Sequence, residues 1–241
     1  MQKDIHHKKF TSIVILTGAG ISAESGIKTF RDEDGLWENH RVEDIASPEG
    51  FQRNPKMVYN FYNERRKQLL SNEVKPNRGH MALAQLENDF KGQTTLITQN
   101  VDDLHERAGS KSVLHMHGEL LKMRCQFTNQ VFLTKKSFDE KTACLCCHKP
   151  GALRPHIVWF GEVPFYMDDI QRVLEKCDLF LSIGTSGQVY PAAMFMQVAR
   201  QQGALTIEIN KDPTANSPLF DKTFHGKAGD ILPDFISNFF A

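Results

Sequence analysis

The chain has no excess of charge of either sign: 29 Lys and Arg stand against 29 Asp and Glu in 241 residues. That excludes a protein held to nucleic acid or anionic lipid chiefly by bulk charge. Long apolar runs are also missing. Nowhere do the roughly 18 apolar residues in a row occur that a membrane-spanning helix needs. The stretch from Met1 to Phe10 lacks the apolar core of a signal peptide. Together these absences predict a cytoplasmic protein. Cysteine is scarce, with five in all, and unevenly placed. Cys125, Cys144, Cys146 and Cys147 cluster, and Cys177 stands apart as a small core residue between a helix and a strand. Disulfides are rare in a reducing compartment, so the cluster points to metal first. Repeats and low-complexity tracts are absent as well. With 40% apolar and 24% charged residues the chain is too apolar to be disordered. Its length predicts one domain.

What is present alternates. Four apolar, β-branched runs read as buried parallel strands: 12–17, 94–98, 179–183 and 205–209. Helical patterns cover 55–70, 80–90, 102–108, 167–177 and 191–202, with Gly109 and Gly203 as stop signals. Strands alternating with helices predict an α/β fold with a Rossmann-like parallel sheet. Two stretches break the alternation and read as insertions that build a smaller module, one helical and one carrying the cysteines. The predicted boundaries are about 1–37, 77–117 and 158–241 for the sheet part, and about 38–76 and 118–157 for the module.

Each strand runs into residues suited to a ligand: Gly18-Ala19-Gly20, Gln99-Asn100-Val101-Asp102, Gly184-Thr185-Ser186 and Asn210. Ligands of open α/β sheets bind at the carboxyl ends of strands, so four such endings predict one crevice. Thr17-Gly18-Ala19-Gly20-Ile21-Ser22-Ala23 fits the G-x-G-x-x-G/A pattern, whose glycines let backbone approach a pyrophosphate. A dehydrogenase would continue into a helix and a second strand ending in an acid. Here Glu24 to Trp37 reads as a loop, which argues against hydride transfer and for chemistry at the nicotinamide–ribose bond. Asn100 and Asp102 sit where a strand yields to a helix; one can cap the helix while the other faces the crevice.

Six motifs then appear in order: Gly18-Ala19-Gly20-Ile21-Ser22, Gly26-Ile27 with Phe30-Arg31, Thr98-Gln99-Asn100-Val101-Asp102, His117-Gly118, Phe160-Gly161-Glu162 and Gly184-Thr185-Ser186. Over nearly the whole chain this resembles the sirtuin family of NAD-dependent protein lysine deacylases, nearest to its bacterial CobB type, which deacetylates and desuccinylates. The resemblance implies NAD as cosubstrate, held by Gly18, Ala19, Gly20, Ile21, Phe30, Arg31, Trp37, Gln99, Asn100, Asp102, Gly184, Thr185, Ser186, Asn210 and Ala228. It implies that Asn100 holds the nicotinamide ribose and a water, that Asp102 accepts from the nicotinamide carboxamide, and that His117 is the general base. The implied course is attack of the acyl oxygen on ribose C1′ as nicotinamide leaves. His117 then removes a proton from the ribose hydroxyls, and water releases free lysine and O-acyl-ADP-ribose. Phe30 would shield the ribose. The stretch 157–162 would pair with the substrate backbone as an added strand, placing Val158, Phe160 and Gly161 at the acyl-lysine. A monomer is the family default, and acylated lysines on proteins are the implied partners.

Tyr62 and Arg65 stand three apart on one helical stripe, which alone describes an ordinary amphipathic helix. With the resemblance they look like an acid-reading pocket for succinyl and malonyl groups, Arg65 offering a two-pronged fork and Tyr62 a hydroxyl. For a structural zinc the family supplies two C-x2-C knuckles. Here Thr128 stands where the first knuckle's second cysteine belongs. Cys125, Cys144 and Cys147 are the expected ligands; Cys146 or His148 could complete the set, or the ribbon could hold no metal. Two other functions compete: a zinc-ribbon nucleic-acid module, disfavoured by the neutral charge, and an ADP-ribosyltransferase or NAD glycohydrolase using the same crevice.

Overall fold

Ser12–Thr17 (β1) has no charged residue, and alternate side chains leave it on opposite faces. Ile13 and Ile15 join one apolar cluster, Val14 and Leu16 another. Both faces are covered, which is why the run shows no polar alternation. The computed structural model describes residues 10–28, 36–37 and 40–239. After β1 come the short helix Ala19–Ser22 (α1) and two antiparallel two-residue strands, Leu36–Trp37 (β2) and His40–Arg41 (β3). Helices Val42–Ile45 (α2), Pro48–Arg53 (α3), Pro55–Leu69 (α4) and Arg78–Asp89 (α5) follow. The sheet resumes with Gln93–Thr98 (β4), Leu104–Ala108 (α6) and Val113–His115 (β5). Gly118–Cys125 (β6), Val131–Leu133 (β7) and Leu153–Ile157 (β8) form a separate antiparallel sheet, order β7-β6-β8. The chain then returns through Met167–Leu174 (α7), Leu179–Ile183 (β9), Phe195–Gln201 (α8), Leu205–Asn210 (β10), Lys222–His225 (β11) and Ala228–Phe239 (α9).

The six-stranded sheet is parallel throughout, in the order β11-β10-β9-β1-β4-β5. The chain moves outward from β1 through β4 and β5, then restarts on the other side at β9. The switch point therefore lies between β1 and β9, where ligands of such sheets bind. The four strands expected from the sequence are present, so the α/β reading holds. Two more are added. Val113–His115 is three residues long, and Lys222–His225 is a polar, largely exposed edge strand, so neither carries a strong apolar signal. The helix expected over 191–202 is split: Ala192–Met194 winds as a tighter 3-10 turn before α8 begins. Helix α9 contains Pro233, which reads as a breaker; buried Leu232 and Phe235 hold it in the core all the same.

The second module grows around α4. Asn54 caps it by accepting from Met57 N (3.1 Å), with Pro55 in its first turn. Three side chains on its inner face tie it to the cysteine-bearing stretch. Tyr59 Oη donates to Leu153 O (2.5 Å), Asn63 Nδ2 to Phe138 O (2.9 Å), and Arg66 Nε to Leu120 O (3.1 Å). One apolar cluster, including Phe51, Tyr59, Phe138, Leu153 and Trp159, spans both insertions.

Candidate active site

At the switch point the ends of β1 and β9 press together. Gly18 N donates to Ile183 O (3.0 Å) and Gly20 N to Gly184 O (2.9 Å). A β-carbon on Gly20 would lie 2.7 Å from Gly184 Cα, and one on Gly184, at φ +61°, would lie 2.6 Å from Ile21 N. The glycines are thus required by two strand ends in backbone contact, and the Gly18 and Gly20 N–H groups are spent inside the protein. The Ile21 side chain is fully buried in the sheet core rather than in the crevice. Ser22, at the foot of the loop, gathers the site: its Oγ donates to Asp102 Oδ2 (3.0 Å), accepts from Asn100 Nδ2 (3.1 Å) and lies 3.4 Å from His80 Nε2. The sequence quoted Ser22 only as part of the glycine motif. Its spacing from Asn100 carries no pattern that would reveal the contact.

The loop after β4 is read from both ends. Asp102 caps α6, accepting from Leu104 N at Oδ1 (3.1 Å). The Asn100 amide turns inward to Gly18 O (3.1 Å) and Ser22. Burial pushes the Asp102 carboxyl up to about 6, against the hydrogen bonds from Leu104 and Ser22. His117 Nδ1 lies 3.1 Å from Gln99 O. A carbonyl only accepts, so Nδ1 carries the hydrogen and Nε2 keeps a lone pair, as a general base requires. Burial draws the His117 pKa below the usual histidine value and outweighs the Gln99 bond, so the ring is neutral at pH 7. Beneath it, Thr17 Oγ1 meets Thr98 Oγ1 (2.9 Å) and His105 Nε2 (3.0 Å) in a buried layer.

On the far side Asn210 Nδ2 donates to Thr185 O (2.7 Å), so this residue fixes the turn after β9. Thr185 Oγ1 meets Ser182 Oγ at 3.2 Å, Ser186 Oγ accepts from Gln188 N, and Ala228 is buried at the start of α9. Phe30 and Arg31 lie outside the described residues, and of Trp37 only the backbone is described, in β2.

The substrate side departs from a simple added strand. Strand β8 ends at Ile157, and the segment 159–162 is a turn. Val158 N is taken by His117 O (2.9 Å) and Phe160 N by Ala46 O (2.9 Å), so those two N–H groups are not available to a peptide. Gly161 takes φ +88° and Phe160 is half exposed. The turn is held by Glu162, whose carboxylate accepts from Trp159 N (2.8 Å) and from Arg154 at both oxygens (2.6 and 3.0 Å). Trp159 in turn donates from Nε1 to Tyr62 Oη (3.0 Å). Tyr62 is buried. Arg65, its guanidinium 5.5 Å from the centre of the Phe61 ring, lines a cavity of about 570 Å³ together with His40, Lys56 and Asn60. Sequence reasoning passed over Trp159 and Arg154. The signal available was a buried-type aromatic beside a charge pair of opposite sign eight residues apart.

The four clustered cysteines offer sulfurs that all lie within 4.8 Å of one another. Cys125 and Cys147 sulfurs are 3.8 Å apart, and those of Cys144 and Cys146 are 3.4 Å apart. Tetrahedral zinc–thiolate bonds of about 2.3 Å set sulfurs about 3.8 Å apart, so the set fits zinc. Of the two candidates for the fourth ligand, Cys146 is the one whose sulfur lies with the other three. Its sulfur lies 3.2 Å from Thr128 Oγ1, next to the position of the missing knuckle cysteine. His148 instead sits at φ +59° with its N–H closing a turn onto Cys144 O.

A parallel sheet whose switch point is lined by a glycine turn, an Asn–Ser–Asp cluster and a neutral histidine, beside a cysteine-ribbon module, defines the Sir2 type of NAD-using fold. The Sir2 family model matches residues 18–191, and the chain belongs to that family. It is similar to proteins named NAD-dependent protein deacylase. The one from Vibrio cholerae is 56% identical over 232 residues, 96% of this chain and 94% of the relative. The one from Pasteurella multocida is 54% identical over 231 residues, 96% and 99% of the two chains. A crystal structure of a Sir2 homologue–NAD complex superposes with a TM-score of 0.88 at 40% identity, covering 98% of this chain and 91% of that one.

Proposed function

We propose that this protein is an NAD-dependent protein lysine deacylase that removes acetyl, succinyl and malonyl groups. The observation that carries the chemistry is His117, held neutral by burial with Nδ1–H on Gln99 O and its Nε2 lone pair free to take a proton. Asn100 and Asp102 stand on the adjoining loop, their side chains joined through Ser22, to orient the ribose and the carboxamide. Bound NAD supplies an electrophilic ribose carbon that takes the acyl oxygen as nicotinamide leaves. His117 then accepts the proton from a ribose hydroxyl. The sheet part, about 1–37, 77–117 and 158–241, carries this chemistry, and the module, about 38–76 and 118–157, carries acyl selection and the zinc. Partners are acylated lysines on cytoplasmic proteins, met by a monomer; no helix among the described residues is long and apolar enough to cross a membrane.

The anionic acyl specificity rests on Arg65. Its cavity is also lined by Lys56 and His40, with Glu64 as the acid among the lining residues, so the field there favours a carboxylate. Mass spectrometry of acetyl- and succinyl-lysine peptides with and without NAD tests the reading. Both peptides should be cleared only with NAD, and Arg65→Met should cut desuccinylation by about 100-fold while sparing deacetylation, the scale of a lost charge-assisted fork. Equal losses on both peptides would remove Arg65 from acyl selection. NAD consumption with the peptide untouched would favour an ADP-ribosyltransferase or NAD glycohydrolase.

A further inference from the structure

Four consecutive carbonyls, the last of β4 and the first three of the loop after it, are all taken by one segment of chain. Met116 N donates to Thr98 O (3.1 Å), and Leu120 N to Val101 O (2.8 Å). Between them the donors are side chains: His117 Nδ1 on Gln99 O (3.1 Å) and His115 Nδ1 on Asn100 O (3.4 Å). The two histidines of His115-Met116-His117 therefore hold neighbouring carbonyls. His115 is 6% exposed, and its Nε2 lies 2.6 Å from Glu106 Oε1. A carbonyl and a carboxylate both only accept, so the two contacts favour a hydrogen on each ring nitrogen of His115, the imidazolium form. The charged and titratable groups acting on it are Glu106 on α6, Glu119 on β6, Asp102 and His105. Burial opposes the charge, but Glu106 outweighs it and the pKa is raised. His117, two residues on, is held in the opposite state.

We propose that His115, clamped by Glu106, is a positioning residue for NAD: it fixes the Asn100 carbonyl and so the direction in which the Asn100 side chain meets the ribose. It touches no reacting atom. The inference rests on the deacylase reading, because it assigns Asn100 to the cosubstrate. Among the described residues the nearby backbone donors are spent elsewhere: Gln99 N is bonded to Thr17 O, and the N–H groups of Met116 and Leu120 are bonded to Thr98 and Val101.

Three variants separate positioning from packing. His115→Leu keeps the volume and removes both donors. His115→Asn restores an amide N–H close to the place of Nδ1. Glu106→Gln removes the counter-charge at a residue already two-fifths exposed, without opening the core. NAD binding is measured by calorimetry without peptide, together with KM for NAD, KM for peptide and melting temperature. His115→Leu should weaken NAD about tenfold, the scale of one charge-assisted hydrogen bond. Peptide KM should stay within about twofold, and His115→Asn should recover most of the loss. Glu106→Gln should weaken NAD about threefold at unchanged peptide KM. The proposal is overturned if NAD affinity in His115→Leu stays within twofold of the parent, or if His115→Asn is as weak as His115→Leu. Should His115→Leu not fold, unchanged NAD binding in Glu106→Gln overturns it equally. A parent protein that binds no NAD refutes the deacylase reading itself, a result distinct from any of these.

Discussion

Replacing Glu162 with Ala strands a buried cation. Arg154 is 7% exposed and sets its guanidinium 3.4 Å from the centre of the Trp159 ring. Among the described residues its only acid partner is Glu162, which accepts from Nη1 at 2.6 Å and Nη2 at 3.0 Å; the same carboxylate accepts from Arg124 at 3.2 Å and from Trp159 N at 2.8 Å. Removing one member of a buried pair costs about 3–5 kcal/mol, because the other is left charged in a poor solvent. Glu162 retains some contact with water, its side chain being 23% exposed, which places the expected cost near the lower end, about 3 kcal/mol. In a chain of this length that lowers the melting temperature by about 6–12 °C. The turn 159–162 loses its closure at the same time, so KM for an acyl peptide should rise while KM for NAD holds. Urea unfolding and steady-state kinetics read the two effects. The double variant Arg154→Met/Glu162→Ala is the sharper control, since with no stranded charge it should be more stable than Glu162→Ala alone. A Glu162→Ala loss under about 1 kcal/mol, or a double variant as unstable as the two single losses added, would refute the stranded-charge argument.

Acid should unfold the protein partly through His80. Burial pulls its pKa down to about 4 against 6.5 in the unfolded chain. The neutral ring's contribution is complete above pH 6.5 and is lost as pH falls toward 4, by about 2 kcal/mol at pH 5. His80→Gln should remove that part of the difference between urea unfolding at pH 7.5 and at pH 5; identical pH losses in parent and variant would count against it. His115, with its raised pKa, acts in the opposite direction and is left unchanged by the comparison. For the ribbon, metal analysis after dialysis should find one zinc per chain. Cys146→Ser should lower that content and His148→Ala should leave it intact; the reverse pattern would make His148 the fourth ligand.

The sheet was legible because burial on both faces writes itself into sequence as unbroken apolar runs such as Ile13–Leu16 and Leu179–Leu181. Strand Lys222–His225 was not, because an exposed edge needs no apolar pattern. Among the site residues, His117, Asn100 and Asp102 could be placed through motifs, and all three sit on one loop system. The reason for the glycines was legible only in part. The pattern indicates close backbone approach, but Gly20 approaches Gly184, which lies more than 160 residues away, just past a strand that sequence alone does not set beside β1. The Tyr62–Arg65 pairing shows the same limit. Helical spacing puts both on one stripe, yet what each side chain meets depends on neighbours from other elements, Trp159 for one and the Phe61–His40 cavity for the other.

On the proposed reading, contacts of α4 also join acyl selection to the chemistry. Arg66 is 1% exposed with no acid partner among the described residues, and burial lowers its pKa to about 10. An unpaired buried cation is tolerated only when acceptors fix it, here Leu120 O at 3.1 Å and Asn63 Oδ1 at 2.8 Å, with the Phe138 ring 5.0 Å away. Leu120 gives its other backbone group, the N–H, to Val101 O in the catalytic loop. One residue thus anchors, through its two backbone groups, the helix that carries Arg65 and the loop that carries Asn100 and Asp102. Truncating Arg66 should free the Leu120 carbonyl and loosen the tie between α4, which Tyr59 and Asn63 still hold, and that loop, shifting Arg65 relative to it. The His117 contact to Gln99 does not pass through Leu120 and is kept. The loss should therefore fall more heavily on succinyl than on acetyl substrates, because only the former depend on where the Arg65 fork lies relative to the ribose.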